Sequence, residues 1–285
     1  MKKHLHFLFL WLLLVLVFGC GGSGGSSGEQ DEDILSAEDY YNMGVEHLNA
    51  DEYEEAIEDF NQAIILDPDI GIYFFYRGLA YMDLEEYEYA LEDFNEAIYL
   101  NPYDAGAFNN RGICFKETGD YELAIDDYTT AIEIDPYSWE YYFNRGLSFI
   151  YLEEFQNAID DFTQAIDLEP DSFNSYYSRA RAYKELEEYS LALDDLNKVI
   201  ELYPEFPSTY NNLAYVYIGL GDLDLALESA NTAISLAPEN GTFYDTRGDV
   251  YSEMGQNALM CQDYETACGL GSVISCDKYN HLCGG

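Results

Sequence analysis

Carboxylates, cysteines and histidines are the residues of this chain that could do chemistry. Adjacent carboxylates could share a proton in general acid–base work or hold a divalent cation. They stand at Glu54-Glu55, Asp126-Asp127, Asp160-Asp161 and Asp194-Asp195. Asp126, Asp160 and Asp194 are 34 residues apart, so such pairs return at one position of a repeating pattern, as solvated helix faces do. No EF-hand loop accompanies them. His47 and His281 are far apart in sequence and show no metal-ligand spacing. Gly19 to Gly24 spells G-x-G-x-x-G and Gly21 to Gly25 spells G-x-S-x-G, but neither has the preceding strand and following helix its chemistry needs. The sequence presents no catalytic constellation. No enzymatic activity, cofactor or metal is expected.

The six cysteines divide into three groups. Cys114 stands where equivalent positions hold Ala80, Ser148, Ala182 and Val216, which makes it a small core residue. Cys261, Cys268, Cys276 and Cys283 form two pairs, each seven apart, around the turn-like Gly269-Leu270-Gly271-Ser272. Facing residues of an antiparallel hairpin have a constant index sum, which favours the rungs Cys268–Cys276 and Cys261–Cys283. Seven residues of helix rise about 10 Å, too far for four thiolates to share one zinc at about 2.3 Å. The remaining cysteine, Cys20, belongs to the N-terminus.

There a short basic start, MKKH, precedes the apolar run LHFLFLWLLLVLVF and then Gly19-Cys20. This is the layout of an export signal. The run is long enough for a transmembrane anchor to be considered, but the Cys after Gly19 and the Gly/Ser stretch beyond it resemble the lipobox of bacterial lipoproteins. That resemblance implies a signal peptide over 1–19, acylation of Cys20, and a Gly/Ser-rich acidic tether over 20–36. It implies a lipid-anchored protein of the cell envelope, at the outer membrane if the host is Gram-negative. The export signal also fits a compartment where disulfides persist.

Charge excludes some partners. The chain has 55 acidic and 12 basic residues, a formal −43; loss of Lys2 and Lys3 with the leader leaves 10 − 55 = −45. Nucleic-acid binding depends on cations displacing counterions, so nucleic acid is not expected as a partner. Membrane contact is expected through the lipid anchor only. The 48% hydrophobic and 24% charged content is that of a folded protein.

The elements that must carry these residues follow from one period. Pro68, Pro102, Pro136, Pro170, Pro204 and Pro238 are spaced by 34 without an insertion. Numbering each unit from residues 37, 71, 105, 139, 173, 207 and 241, the eighth place holds Gly44, Gly78, Gly112, Gly146, Ala180, Ala214 and Gly248. The twentieth holds Ala56, Ala90, Ala124, Ala158, Ala192 and Ala226. Phe60, Phe94, Tyr128, Phe162 and Leu196 follow four residues later, and Ala63, Ala97, Ala131, Ala165, Val199 and Ala233 three beyond those. Spacing of i, i+4, i+7 places each set on one helix face.

These columns resemble the tetratricopeptide repeat over about 37–268. The resemblance implies an all-α fold, a right-handed superhelical solenoid of about seven helix-turn-helix units (37–70, 71–104, 105–138, 139–172, 173–206, 207–240, 241–268) with a Cys-containing C-terminal cap over 269–285. Met260 and Ser272 depart from the pattern in the seventh unit, as a terminal unit would. MCQDYETACGLG near the C-terminus also resembles the closing stretch of some bacterial repeat lipoproteins.

In that family the first helices line a concave groove, and a sixth-place Asn commonly bonds an extended peptide's backbone. Carried over residue by residue, this implicates Asn42, Asn110, Asn144 and Asn212. Tyr41, Phe75, Phe143 and Tyr177 at the fifth place, with Lys116, Arg181 and Lys184, would complete a basic, aromatic-walled stretch. The carboxylate clamp of chaperone adaptors is not met, because Asn174 and Ser178 stand where it needs cations. A further column of arginines (Arg77, Arg111, Arg145, Arg179, Arg247) runs beside one of aspartates (Asp59, Asp93, Asp127, Asp161, Asp195, Asp263). These are expected to pair within or between units and to set register. The expected function is a membrane-anchored scaffold that binds a peptide or protein segment in the groove, in the assembly of cell-envelope complexes. The alternatives are binding of cell-wall glycan and regulation of a peptidoglycan enzyme, each through the aromatic groove.

Overall fold

Among the described residues seven pairs of helices follow one another, and a fifteenth helix comes after them. The computed structural model describes residues 35–284; the expected signal peptide, Cys20 and nearly all of the tether lie outside the described residues. The pairs are α1 (Ala37–Asn49) with α2 (Tyr53–Leu66), α3 (Gly71–Asp83) with α4 (Tyr87–Leu100), and α5 (Ala105–Thr118) with α6 (Tyr121–Ile134). Next come α7 (Trp139–Tyr151) with α8 (Phe155–Leu168), and α9 (Phe173–Glu185) with α10 (Tyr189–Leu202). The last are α11 (Pro207–Leu220) with α12 (Leu223–Leu236), and α13 (Gly241–Glu253) with α14 (Asn257–Gly269), before α15 (Val273–Leu282). Among the described residues there is no strand, and no helix is long and apolar enough to cross a membrane. Each second helix packs on its own first helix and on the first helix of the next unit, and consecutive first helices touch. This makes a solenoid.

Two local devices repeat the corner. The residue before each repeated proline (Asp67, Asn101, Asp135, Glu169, Tyr203, Ala237) leaves helical geometry with φ between −132° and −146°, because the proline ring crowds it. Where Ser272 replaces proline, α14 instead ends through Gly271 at φ 96°. Inside each unit the chain turns through a left-handed residue at the fifteenth place: Asp51, Glu85, Gly119, Glu153, Glu187, Gly221 and Gly255. The turn closes with a Schellman pair, as in Glu86 N–H to Tyr81 O at 2.9 Å and Glu85 N–H to Met82 O at 3.0 Å.

Packing within a unit rests on one seat. An added Cβ would lie 2.6 Å from the Phe60 ring at Gly44, 2.8 Å from Tyr128 at Gly112, 2.7 Å from Phe162 at Gly146 and 2.6 Å from Tyr264 at Gly248. Each aromatic ring therefore packs directly against a glycine of the partner helix, in space a side chain there would need. Where the eighth place is Ala180 or Ala214, the twenty-fourth shrinks to Leu196 or Ala230, and all four are buried. Volume is conserved across the pair, as close-packed interiors require.

At the C-terminus α15 packs on α14, and disulfides join Cys261 to Cys283 and Cys268 to Cys276, with Cα–Cα distances of 5.6 and 4.6 Å. Cys114 is free and buried; burial pushes its thiol up to about 12, so it is an inert core residue.

The Gly112–Tyr128 seat yields two opposite expectations. Gly112→Leu should lower stability by about 1–3 kcal/mol through overpacking. Tyr128→Phe should raise it by about 1 kcal/mol, because the Tyr128 hydroxyl is buried without a partner. Urea midpoints of the two variants check both signs; an unchanged midpoint for Gly112→Leu contradicts the seat.

Candidate functional site

The arginine column is a set of bridges. Nε of Arg77, Arg111, Arg145, Arg179 and Arg247 donates at 2.8 Å to Oδ2 of the aspartate sixteen residues on, respectively Asp93, Asp127, Asp161, Asp195 and Asp263. Nη2 of each donates to the other oxygen of the same carboxylate. Nη1 reaches sixteen residues back, to the preceding unit's second helix, at Asn61, Asn95, Thr129, Thr163 or Asn231. Each guanidinium also lies over one or two aromatic rings of its own helix, as Arg77 does over Phe74 and Tyr81 and Arg145 over Tyr142. Pairing is thus within the unit and the third bond is between units.

These pairs are desolvated: the aspartate side chains are 5–8% exposed and the arginines 16–20%. Burial pushes the carboxyls of Asp93, Asp161 and Asp195 above their ordinary value, against the opposing pull of their arginines. Two units lack the arginine. In the first, Met43 takes its place and Asp59 Oδ2 accepts from His47 Nδ1 at 2.8 Å. In the sixth, Leu213 and Ser229 replace both charges together.

The first helices carry the remaining candidate residues. Asn42 is exposed, and Asn110 is half-buried. Asn144 Nδ2 donates to Asn109 Oδ1 at 3.0 Å, across two units. Asn212 Nδ2 and Asn211 Oδ1 are buried without a partner. The fifth-place rings turn toward their neighbours. Tyr41 packs against Phe60, Tyr73 and Tyr76, and Phe75 against Tyr76 and Phe94. Phe143 packs against Trp139 and Phe162, and Tyr177 against Phe206. Burial, then the neighbouring tyrosines, pushes the Tyr41 hydroxyl up to about 12. Lys116 pairs with Glu117. Lys184 pairs with Glu185 at 3.0 Å, its Nζ lying 5.4 Å from the centre of the Tyr215 ring. Arg181 is exposed.

Side chains meet across the seam between first helices at fixed offsets. Tyr41–Tyr76 and Asn109–Asn144 are each 35 residues apart; Lys184–Tyr215 are 31 apart. At the end of the array Lys278 donates to Asp245 at 2.9 Å and to Asp249 at 2.7 Å, 33 and 29 residues away. Both offsets are two shorter, so α15 occupies the position of an eighth unit's first helix, reached by a seventh unit two residues short. Ser275 Oγ donates to the same Asp245 at 2.7 Å. Among the described residues no cluster could hold a metal ion.

Comparison with known proteins agrees with this architecture. Two family models, both described as tetratricopeptide repeat, match the chain, one at residues 37–70, 72–104, 105–138 and 139–172 and the other at 173–206 and 207–240. The pair α13–α14 extends the array past the matched units. No curated protein matches the chain. A tetratricopeptide repeat protein from Parabacteroides merdae is similar in fold, with a TM-score of 0.67 at 18% identity over 87% of this chain and 99% of that one. The C-terminal part of a repeat-containing protein from Cytophaga hutchinsonii gives 0.66 at 21% identity, over 83% and 98%. YrrB, described as having an unusual peptide-binding site, gives 0.58 at 20% identity, over 65% and 95%.

The bridges make a sharp energetic expectation. Arg145→Leu leaves Asp161 buried without its counter-ion and should cost about 3–5 kcal/mol. Adding Asp161→Ser, which copies the sixth unit's Leu213 and Ser229, should return stability to within about 1–2 kcal/mol of the starting protein. Chemical unfolding of the three variants checks it; additive losses would contradict it.

Proposed function

Because the chain belongs to the tetratricopeptide repeat family, whose members mediate protein–protein interactions and bind peptides, we propose that it is a non-enzymatic scaffold. Its first-helix face holds an extended segment of a partner protein. The observation that carries this reading is the chemistry of that face. Across units three to six, the second, fifth, sixth, ninth and twelfth places hold one acid, Glu140, against three cations, Lys116, Arg181 and Lys184. The molecule around them has a formal charge of −43. Asn110, Asn144, Asn109, Asn211 and Asn212 lie in the same places, and an amide offers a peptide backbone both a donor and an acceptor. The resemblance to YrrB, a protein with a peptide-binding site, supports the same use. The fifth-place rings spend their faces on neighbouring side chains, which favours a peptide over a sugar stacked on them.

The scaffold is tethered. The leader and Gly19-Cys20 support acylation at Cys20, which holds the array beside a membrane of the cell envelope. There it serves the assembly of a protein complex.

Two experiments test these statements. Extended twelve-residue peptides selected from a displayed random library on the full chain should lose at least tenfold in affinity in the Asn110→Ala/Asn144→Ala variant. They should be indifferent to Glu133→Ala on the outer helix α6; the opposite pattern contradicts the groove. Fatty-acid labelling of the chain in a bacterial host should be abolished by Cys20→Ala, and persistent labelling would refute the anchor.

A further inference from the structure

We infer that the corner edge of the first three units rests on a lipid surface of zwitterionic headgroups. The protein then meets its membrane through exposed side chains as well as through the acyl group. This rests on the reading of Cys20 as the anchor, and it revises the expectation that the anchor is the sole contact.

Four side chains set this edge apart. Ile65 and Tyr99, at the twenty-ninth place of units one and two, are 70% and 79% exposed. Tyr103 and Tyr137, at the thirty-third place of units two and three, are 80% and 82% exposed. Leu66 and Ile70 in the first corner are exposed as well. From the third unit on, the twenty-ninth place holds Glu133, Asp167, Glu201 and Ser235; from the fourth on, the thirty-third holds Asp171, Glu205 and Glu239. Tyr203, an aromatic of a later corner, is instead packed against Phe173 and Phe206. Exposed apolar groups gathered on one stretch of an acidic molecule mark a contact surface.

The tether joins the array at the same edge. A Cβ at Gly71, the first residue of α3, would lie 3.2 Å from Leu100, the last of α4. One unit earlier the equivalent residues are Ala37 and Leu66, which puts the start of α1 beside Leu66 and its neighbour Ile65. Residues 21–35 separate Cys20 from Ser36, and a Gly/Ser-rich chain of that length spans on the order of 20 Å. Consecutive first helices touch, and packed helices lie about 8–10 Å apart, so the first three corners extend over a comparable distance. Val273 and Ile274, exposed at the start of α15, belong to the far end of the array.

Tyrosine suits the boundary between water and hydrocarbon, because its ring is apolar and its hydroxyl bonds to headgroups. Asp67, Asp69 and Asp104 share these corners. Their charge keeps the contact at headgroup depth and disfavours anionic lipid. Such a contact is weak alone. The anchor makes it intramolecular, and a high local concentration then stands in for affinity.

The test uses the full chain, acylated in a bacterial host and reconstituted into phosphatidylcholine vesicles. Tyr103→Cys and Asp171→Cys variants carry an environment-sensitive fluorophore; Cys114 is buried and the cap cysteines are bonded. Quenching by nitroxide-labelled lipid should be about threefold or more stronger at position 103 than at 171. Adding Ile65→Ser, Tyr99→Ser and Tyr137→Ser should bring the two positions level, with an unchanged thermal midpoint because all three side chains are exposed. Equal quenching at both positions, or a difference that survives the serine substitutions, overturns the inference while the anchor stands. Shielding of position 103 that grows with protein concentration in the absence of lipid assigns the patch to a second copy and overturns it too. A chain that carries no fatty acid and does not float with the vesicles removes the anchor and the inference together.

Discussion

A pair of helices of thirteen or fourteen residues each cannot cover its own apolar face, and the rest of this structure follows from that constraint. Burial is completed only when a second helix meets the first helix of the next unit. The arginine bridges act at this contact. Each guanidinium fixes its own unit through a bidentate carboxylate and reaches back to the outer helix of the unit before it. Such a desolvated pair contributes little net stability compared with apolar packing of equal volume. What it fixes is the rotation of one unit on the next, because a planar fork with three occupied nitrogens tolerates little misalignment. The sixth unit shows that the charges can be dispensed with as a pair, Leu213 with Ser229, and not singly.

Most of the chain's few cations are therefore committed. Five of the ten beyond the leader hold the array together, and one secures the cap. With most of the 55 carboxylates on helix surfaces and loops, the outer faces repel one another and other anionic surfaces. The first-helix face of units three to six is the exception, with one acid, Glu140, at the places that hold Lys116, Arg181 and Lys184. The cap extends this face: α15 continues the row of first helices, and the two disulfides hold it on α14.

Much of this was legible in the residues. A strict period of 34, glycine set against aromatic, and proline at six of the corners between units specify the helix pairs, since each is a local or nearest-neighbour requirement. The arginine and aspartate columns announced a pairing, but the third acceptor was not evident; Asn and Thr alternate in that column, and both look like ordinary surface residues. Nor were the left-handed turns at Asp51, Glu85, Glu153 and Glu187 foreseen, because an acidic residue there carries no glycine signal. The fifth-place aromatics read as groove walls, whereas the rings of Phe75, Phe143 and Tyr177 lie against rings of their own unit and that of Tyr41 reaches the next. Contacts across the seam depend on the rotation between units, which no single repeat encodes. For the same reason the bond between Asn144 and Asn109, and the unpartnered amide of Asn212, appear only once the helices are assembled.

The claim on which the account stands is that stability resides in contacts between neighbouring units. Native-state hydrogen exchange, read residue by residue on the oxidised chain, tests it most directly. The account predicts that protection is highest in the middle units, falls stepwise toward α1, and is partly restored at the C-terminal end by the stapled cap. Seven units of equal and low protection, each opening without regard to its neighbours, would contradict it.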